Sequence, residues 1–197
     1  MAGSSLDAAT VRDAALRLFA ERGYRATTMA DIGAALGIRG PSLYRHVASK
    51  QDLLAAIMTD TMRELIARQR AAAAAGGDPA QVVRRMVEAH VRFHAANREQ
   101  AFVGNREIDN LEPANRAPLL ELRRRYADGL RAAIAAGRDA SVFRVVSDRL
   151  AAYAILDMGI GVSAWFRADG PHSADEVAYA YADYALAMLT VGTPPDS

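Results

Sequence analysis

His90 and His94 lie four residues apart in a segment whose apolar spacing is helical, so one face of a helix carries both imidazoles. Two histidines at this spacing can bind zinc. Residues 91–93 between them lack the glutamate of a metalloprotease helix, and no third ligand is obvious nearby. Three roles stay open for the pair: metal ligands, polar contacts to a bound molecule, or hydrogen-bonded core histidines. The sequence favours the last two.

A second group of polar side chains lies between residues 27 and 50. Its charges and hydroxyl donors suit the phosphate oxygens of nucleic acid, and it comprises Thr27, Thr28, Arg39, Ser42, Tyr44, Arg45 and Lys50. Two short helical segments flank a turn at Gly37 here, which is the spacing of a helix-turn-helix whose second helix fits the major groove. Periodicity alone fits a plain three-helix subdomain with solvated arginines equally well.

Two further patterns carry less weight. Residues 159–164 spell the dinucleotide fingerprint with alanine last, but they lie inside a helical segment with no strand before them. Arg123, Arg124 and Arg125 form either a solvated face or a contact for the phosphates of a ligand resembling coenzyme A. The chain has no cysteine, which excludes disulfides, a thiol nucleophile and cysteine-ligated metals. We therefore assign no catalytic residue, metal or cofactor.

Composition is that of a globular protein: 197 residues, 51% hydrophobic, with 24 basic and 23 acidic side chains. No apolar run of about 18 residues predicts a membrane span, and nothing at the N-terminus resembles a secretion signal, so we expect a cytoplasmic protein. The net charge of +1 is a sum of unlike parts. Residues 1–55 hold seven basic and five acidic side chains, whereas residues 151–197 hold one and six.

Helical periodicity runs through nearly the whole chain and predicts about nine helices and no strand. Capping signals mark several starts: Thr28 with Asp31, Asp78 before Pro79, and Ser173 with Glu176. We predict an all-α fold, with a three-helix helix-turn-helix domain at 1–52 and a helical ligand-binding and dimerisation domain at 53–197.

Four segments resemble the N-terminal DNA-binding domain of the tetracycline-repressor (TetR) family: AALRLFAERGY at 14–24, TTMADIGAALGI at 27–38, SLYRHVASK at 42–50 and DLL at 52–54. The resemblance covers about residues 11–57 and implies that Thr28, Tyr44, His46 and Lys50 hold the DNA backbone. It implies that Arg39, Gly40, Pro41, Ser42 and Arg45 face the base edges. Two positions depart from the family pattern, because Val47 replaces the usual phenylalanine and Arg39 stands where a small or hydroxyl residue is common.

The chain after residue 57 looks like the family's ligand and dimerisation domain. Its segment WFRADGPHSADEVAYAYADYAL at 165–186 is similar to a branch found in actinobacterial lipid and steroid catabolism. Members of that branch often respond to acyl or steroid thioesters of coenzyme A. The resemblance implies a repressor that binds a palindromic double-stranded operator as a homodimer through its two C-terminal helices and is released by a small hydrophobic effector, such as an acyl-CoA.

Residues facing inward on the middle helices are the candidates for the ligand site. Methionines and aromatics suit an adaptable apolar cavity with a few polar anchors, and the set comprises Met58, Met62, Met86, His90, Phe93, His94, Phe102, Asn105, Asp109, Tyr126 and Trp165. The alternative for each is an ordinary core position. Two other functions stay open for the chain: an all-α thioester-processing enzyme using His90, His94 and Asp109, and a ligand-binding protein without DNA function.

Overall fold

The structure of the chain, a computed structural model, describes residues 7–38 and 40–190, with the backbone alone at residues 40 and 41. Every regular element in these residues is helical, so the predicted all-α class is confirmed. A short 3₁₀ helix (Ile108–Asn110) separates the sixth and seventh α-helices. The α-helices are α1 (Ala8–Arg22), α2 (Met29–Ala35), α3 (Gly40–Leu43), α4 (Lys50–Ala74), α5 (Pro79–Ala96), α6 (Arg98–Arg106), α7 (Pro113–Asp139), α8 (Asp148–Trp165) and α9 (Ala174–Thr190).

We predicted about nine helices. In the described chain eight α-helices are longer than one turn, and the ninth, α3, has only four residues. The predicted helix starts are confirmed by their hydrogen bonds. At α2 the Asp31 amide donates to Thr28 Oγ1 at 3.1 Å, and the Thr28 amide donates to Asp31 Oδ2 at 2.8 Å. Ser173 and Glu176 form the same reciprocal pair before α9. These bonds satisfy amides that the first turn of a helix leaves free.

The chain forms two compact units, and the division falls inside α4, after the first residue of α6 and inside α7. Of the described residues, the first unit comprises those from 7 to 61 together with Glu99–Leu120, and the second comprises Met62–Arg98 and those from 121 to 190. The predicted domains, 1–52 and 53–197, are continuous segments. The first unit instead takes a segment from the middle of the chain.

The core of the first unit lies under α1. Val11, Ala15 and Phe19 are completely buried on one face of this helix, and Leu43 of α3 is completely buried as well. The Phe19 ring meets the edge of the Tyr24 ring, with centroids 5.2 Å apart. This apolar packing holds the helix-turn-helix segment by its inner side.

The second unit is organised around α5, which packs against both α8 and α9. Val83 and Val91 of α5 are completely buried, as is Leu189 of α9. Two ion pairs at the surface join α5 to the α9 region: Arg84 with Asp183 and Arg92 with Asp175, each at 2.6 Å. Within the described residues, no helix combines the length and apolar character needed to cross a bilayer.

The connector after α7 is held by one buried aromatic side chain and by backbone hydrogen bonds. Phe143 is 2% exposed, and the backbone amides of Val142 and Phe143 both donate to the Gly137 carbonyl. The Phe143 ring covers Gly137 so closely that a Cβ there would lie 2.1 Å from ring atom Cδ2. The Arg144 amide then donates to the Leu189 carbonyl at 2.7 Å, which ties the connector to α9.

We predict that Gly137→Ala destabilises the protein by roughly 1–3 kcal/mol, because a close-packed interior cannot absorb the added methyl group without moving the ring. Urea unfolding measures this difference. On a Phe143→Ala background the same alanine should cost much less, since the obstructing ring is gone. Equal costs on the two backgrounds would show that the ring does not require glycine at this position.

Candidate functional site

Helix α3 and the turn that follows it, residues 44–46, present the candidate DNA-contacting surface. Leu43 turns inward and is completely buried, whereas Ser42 and Arg45 are exposed and Tyr44 is 56% exposed. Gly37 makes the preceding turn with a φ of +69°, a backbone conformation that glycine adopts without strain. The short helix is therefore held from one side, and the polar residues predicted to meet DNA lie on the other.

The two threonines before α2 differ. Thr28 is exposed, and its hydroxyl lies 2.6 Å from Asp31 Oδ2 as part of the cap. Thr27 is completely buried, and its hydroxyl donates to the Gly23 carbonyl at 2.9 Å. The prediction that Thr27 contacts DNA is therefore wrong, because its side chain is used inside the turn.

The remaining DNA candidates lie at or near α3. Gly40 and Pro41 begin this helix, and His46 is partly buried in the turn that follows it. Arg39 lies outside the described residues. Base contacts by residues 39–41 and a phosphate contact by His46 stay predictions.

Lys50, at the start of α4, has a structural role in addition to its charge. Its ammonium donates to the carbonyls of Tyr24 at 2.9 Å and Thr27 at 2.7 Å, and it lies 4.1 Å from the centre of the Tyr24 ring. An ammonium group has three protons, so one is left for a further acceptor. A contact between Lys50 and a DNA phosphate stays a prediction, and such a contact would use the third proton of the ammonium group.

A set of hydrogen bonds that the sequence did not indicate connects Tyr24 to the segment after α6. Gln51 Nε2 lies 3.0 Å from the Tyr24 hydroxyl and 2.6 Å from the Asn110 carbonyl, and Gln51 Oε1 accepts from the Glu112 amide at 3.2 Å. The Tyr24 amide donates to Glu107 Oε1 at 3.3 Å. We call Tyr24, Gln51, Glu107, Asn110 and Glu112 the clasp. Its members are up to 88 positions apart in the sequence, and no local pattern marks them as partners.

Four ligand candidates belong to the first unit. Met58 is buried, and Phe102 is partly buried with the Arg106 guanidinium 4.9 Å from its ring centre. Asn105 is exposed, and the Asp109 side chain is 80% exposed and paired with Arg116 at 2.8 Å. The prediction that Asn105 and Asp109 face inward is therefore wrong, since both polar groups lie at the surface of their short segment.

In the second unit, both ring nitrogens of His90 form hydrogen bonds. Its Nε2 lies 3.0 Å from the Leu156 carbonyl, and its Nδ1 lies 2.8 Å from the Tyr126 hydroxyl. Because a carbonyl only accepts, Nε2 carries the proton and Nδ1 accepts from Tyr126. Burial lowers the pKa of His90 to about 4 and raises that of Tyr126, so the ring stays neutral and the hydroxyl keeps its proton.

His94 lies one helical turn further along α5 and differs from His90. It is 3% exposed, and its ring meets the His90 ring edge-on at a centroid distance of 4.5 Å. Burial and the neighbouring His90 lower its pKa to about 3. In the described part of the chain, His94 Nδ1 is the one buried side-chain polar atom without a hydrogen-bond partner. Those residues also contain no group of three or more histidine, aspartate or glutamate side chains that could hold a metal ion.

Four of the remaining five candidates are buried and one is not. Met62, Met86, Phe93 and Tyr126 are each at most 8% exposed. Trp165 is 49% exposed at the end of α8, with its ring 6.4 Å from that of Tyr181 on α9. The prediction that Trp165 faces inward is therefore wrong. The same two helices also expose Leu150, Tyr153, Tyr184 and Met188, and we call these four side chains and Trp165 the apolar surface on α8 and α9.

Comparisons with known proteins place both parts of the chain in one family. Residues 11–57 match the model of bacterial regulatory proteins of the tetR family, and residues 76–189 match that of the tetracyclin repressor-like C-terminal domain. The HTH-type transcriptional repressor KstR2 of Rhodococcus jostii is 30% identical over 176 residues, which are 88% of this chain and 86% of that protein.

Solved structures agree with this assignment. A bacterial regulatory protein of the tetR family from Rhodococcus RHA1 superposes with a TM-score of 0.89 at 33% identity, covering 96% of this chain and all of that one. AibR in complex with isovaleryl coenzyme A and operator DNA shares the fold, with a TM-score of 0.81 at 24% identity, over 92% of this chain and 97% of that one.

We predict that stability falls as the pH drops from 7 to 5. At pH 7 His90 and His94 are mostly neutral in both the folded and the unfolded chain. As the pH falls through about 6.5, both histidines take up protons in the unfolded chain. In the folded chain their pKa values are about 4 and about 3, so they stay neutral there. The folded state therefore loses about 2 kcal/mol of stability per histidine by pH 5. Urea unfolding at the two pH values measures the loss.

Substituting one buried and one exposed histidine separates the contribution of the buried histidines from that of other titrating groups. His94→Leu should remove about half of the pH-dependent loss, whereas His172→Gln, at an exposed position, should leave it unchanged. A loss that is the same in wild type and His94→Leu would contradict the assignment.

Proposed function

The chain belongs to the TetR family of bacterial transcriptional regulators, and we propose that it represses transcription by binding a palindromic operator as a homodimer and is released by an acyl-CoA effector. The observation that carries the DNA-binding part is the contrast in burial within α3 and the turn that follows it. Leu43 is completely buried, whereas Ser42 of the helix and Tyr44 and Arg45 of the turn are exposed. An arginine in such a position can bind O6 and N7 of a guanine together.

The apolar surface on α8 and α9 supports the dimer. Leu150 is 68% exposed and Tyr184 58% exposed, values that an isolated surface helix rarely shows for several large apolar residues together. Contact with the same surface of a second copy would bury these side chains around a twofold axis. A twofold protein fits a palindromic operator, because each protomer then meets one half-site.

The effector class rests on the relatives and on the interior of the second unit. The 30% identical relative is named a KstR2 repressor, and a protein of the same fold has been solved with isovaleryl coenzyme A and operator DNA. In the second unit, Met62, Met86, Phe93 and Tyr126 are buried, and side chains of these types suit an apolar acyl group. The proposed ligand-site residues of the second unit are Met62, Met86, His90, Phe93, His94 and Tyr126. Met58 and Phe102 belong to the first unit, and their contact with an effector stays a prediction.

Release of DNA requires that the effector prefer a different arrangement of the protein from the one that binds the operator. The clasp gives a physical route for such coupling inside the first unit. It joins Tyr24 and the start of α4 to Glu107, Asn110 and Glu112, which follow α6. Loss of these bonds in one of the two states would move the support of the helix-turn-helix. An effector can shift the equilibrium only by its differential affinity for the two states.

The alternative of a thioester-processing enzyme is not supported. The curated relatives are named transcriptional repressors, and TetR-family regulators are not enzymes. Two of the three residues considered for catalysis, His90 and Asp109, already have partners in Tyr126 and Arg116. A regulator of this kind acts on chromosomal DNA, so we propose a cytoplasmic location.

We predict that Arg45→Ala weakens operator binding by about 5- to 150-fold, the range expected for one arginine–base contact, and reduces discrimination against unrelated DNA. Fluorescence anisotropy on operator and scrambled duplexes measures both effects. Arg17→Ala removes the same charge from an exposed site on α1 and is the matched control. If the two variants bind alike, Arg45 contributes only charge.

We also predict that an acyl-CoA lowers the affinity for operator DNA at concentrations where coenzyme A alone does not, because the acyl group supplies the apolar contact. Anisotropy titrations of operator with isovaleryl-CoA and longer thioesters measure the shift. Thioester binding seen by calorimetry without any change in DNA affinity would contradict the proposed switch.

A further inference from the structure

The two buried histidines of α5 have the same chemistry and unequal surroundings. His90 uses both ring nitrogens, one towards Tyr126 and one towards the Leu156 carbonyl. His94 is equally buried, and among the described residues nothing bonds to its Nδ1. Proteins rarely bury a polar atom without a partner, and such an atom in a native structure calls for an explanation.

His90 is held as a fixed support for His94. A Cβ on Gly159 of α8 would lie 2.2 Å from His90 Cδ2, so the ring occupies the space that glycine leaves. Tyr126 and Leu156 then fix its rotation through the two hydrogen bonds. The His94 ring packs on this support at 4.5 Å and on Phe93 at 5.5 Å, so its own position is also constrained.

We propose that His94 is the residue that recognises the effector, through a hydrogen bond from its Nδ1 to a neutral carbonyl or hydroxyl oxygen on the effector's apolar part, and that His90 only positions it. This rests on the proposed function, since it assumes an effector bound in the second unit. It assigns different roles to two residues that the sequence placed together.

The chemistry of the site selects a neutral oxygen. The imidazole of His94 is uncharged when buried beside another neutral imidazole and Phe93, and it can donate or accept one hydrogen bond at Nδ1. A carboxylate or ammonium group would lose its hydration there without an opposite charge from either histidine. A carbonyl or hydroxyl on an otherwise apolar skeleton costs far less to bury and satisfies the nitrogen.

The first experiment needs no effector. In the free protein, His94→Leu should raise the melting temperature by roughly 2–4 °C, because leucine fills a similar volume without a polar atom that lacks a partner. His90→Leu is the matched control and should lower it by at least as much, because it leaves the buried Tyr126 hydroxyl without its acceptor and removes one of the bonds to the Leu156 carbonyl. If both substitutions destabilise alike, His94 already has an internal partner such as a bound water, and the proposal is overturned.

The second experiment uses three coenzyme A thioesters of equal chain length: a saturated acyl group, the same group with one ketone, and the same group with one hydroxyl. Calorimetry should show that wild type binds at least one of the three about tenfold more tightly than His94→Leu does, the effect of one hydrogen bond. His94→Asn, which keeps a polar atom near the position of Nδ1, should recover part of the affinity.

The thioester whose affinity falls in His94→Leu identifies the effector oxygen that His94 binds. A loss confined to the keto or hydroxy compound assigns it to the chain, and an equal loss for all three assigns it to the thioester carbonyl. If wild type binds thioesters and His94→Leu binds each equally well, the proposal is wrong while the proposed function stands. If wild type binds none of them, the effector class fails instead, and the melting temperatures still decide whether His94 Nδ1 lacks a partner.

Discussion

The turn between α1 and α2 is the feature on which the candidate DNA-contacting surface depends. The Tyr24 amide is bonded to Glu107, and the carbonyls of Tyr24 and Thr27 accept from Lys50. The buried Thr27 hydroxyl closes the turn on Gly23. Because each of these polar groups has a partner, Tyr24 and Thr27 can be buried without an unsatisfied polar group, and the turn fixes where α2 begins. Because α3 packs against α2, the position of α2 determines which side chains of α3 are exposed.

The two units use buried polar groups differently. In the first unit they join segments far apart in the chain, as Gln51 does between Tyr24 and Asn110. In the second unit a satisfied histidine supports one whose nitrogen is free of protein partners in the described residues. Networks of the first kind rigidify a structure, and a single unsatisfied group of the second kind is a cost that binding can offset. We therefore assign DNA positioning to the first arrangement and effector recognition to the second.

Sequence reasoning succeeded where the physics is local. Capping pairs such as Thr28 with Asp31 lie within one turn, so their residue types are enough to predict them. It failed where orientation depends on distant packing. Asp109 was expected inside and pairs with Arg116 at the surface, whereas Trp165 belongs to an outer face completed by α9. Thr27 and Thr28 are adjacent and chemically identical, and only the fold decides which hydroxyl is buried.

Selection of bound duplexes from a randomised DNA pool tests the central claim most directly, since it assumes neither the operator nor the effector. A homodimer that reads DNA with the exposed side of α3 should enrich a palindrome whose half-sites are centred about one helical turn, or a multiple of it, apart. The enriched duplex should bind two protomers or a multiple of two. Recovery of no common sequence, or of a single asymmetric site bound by one protomer, would contradict the account.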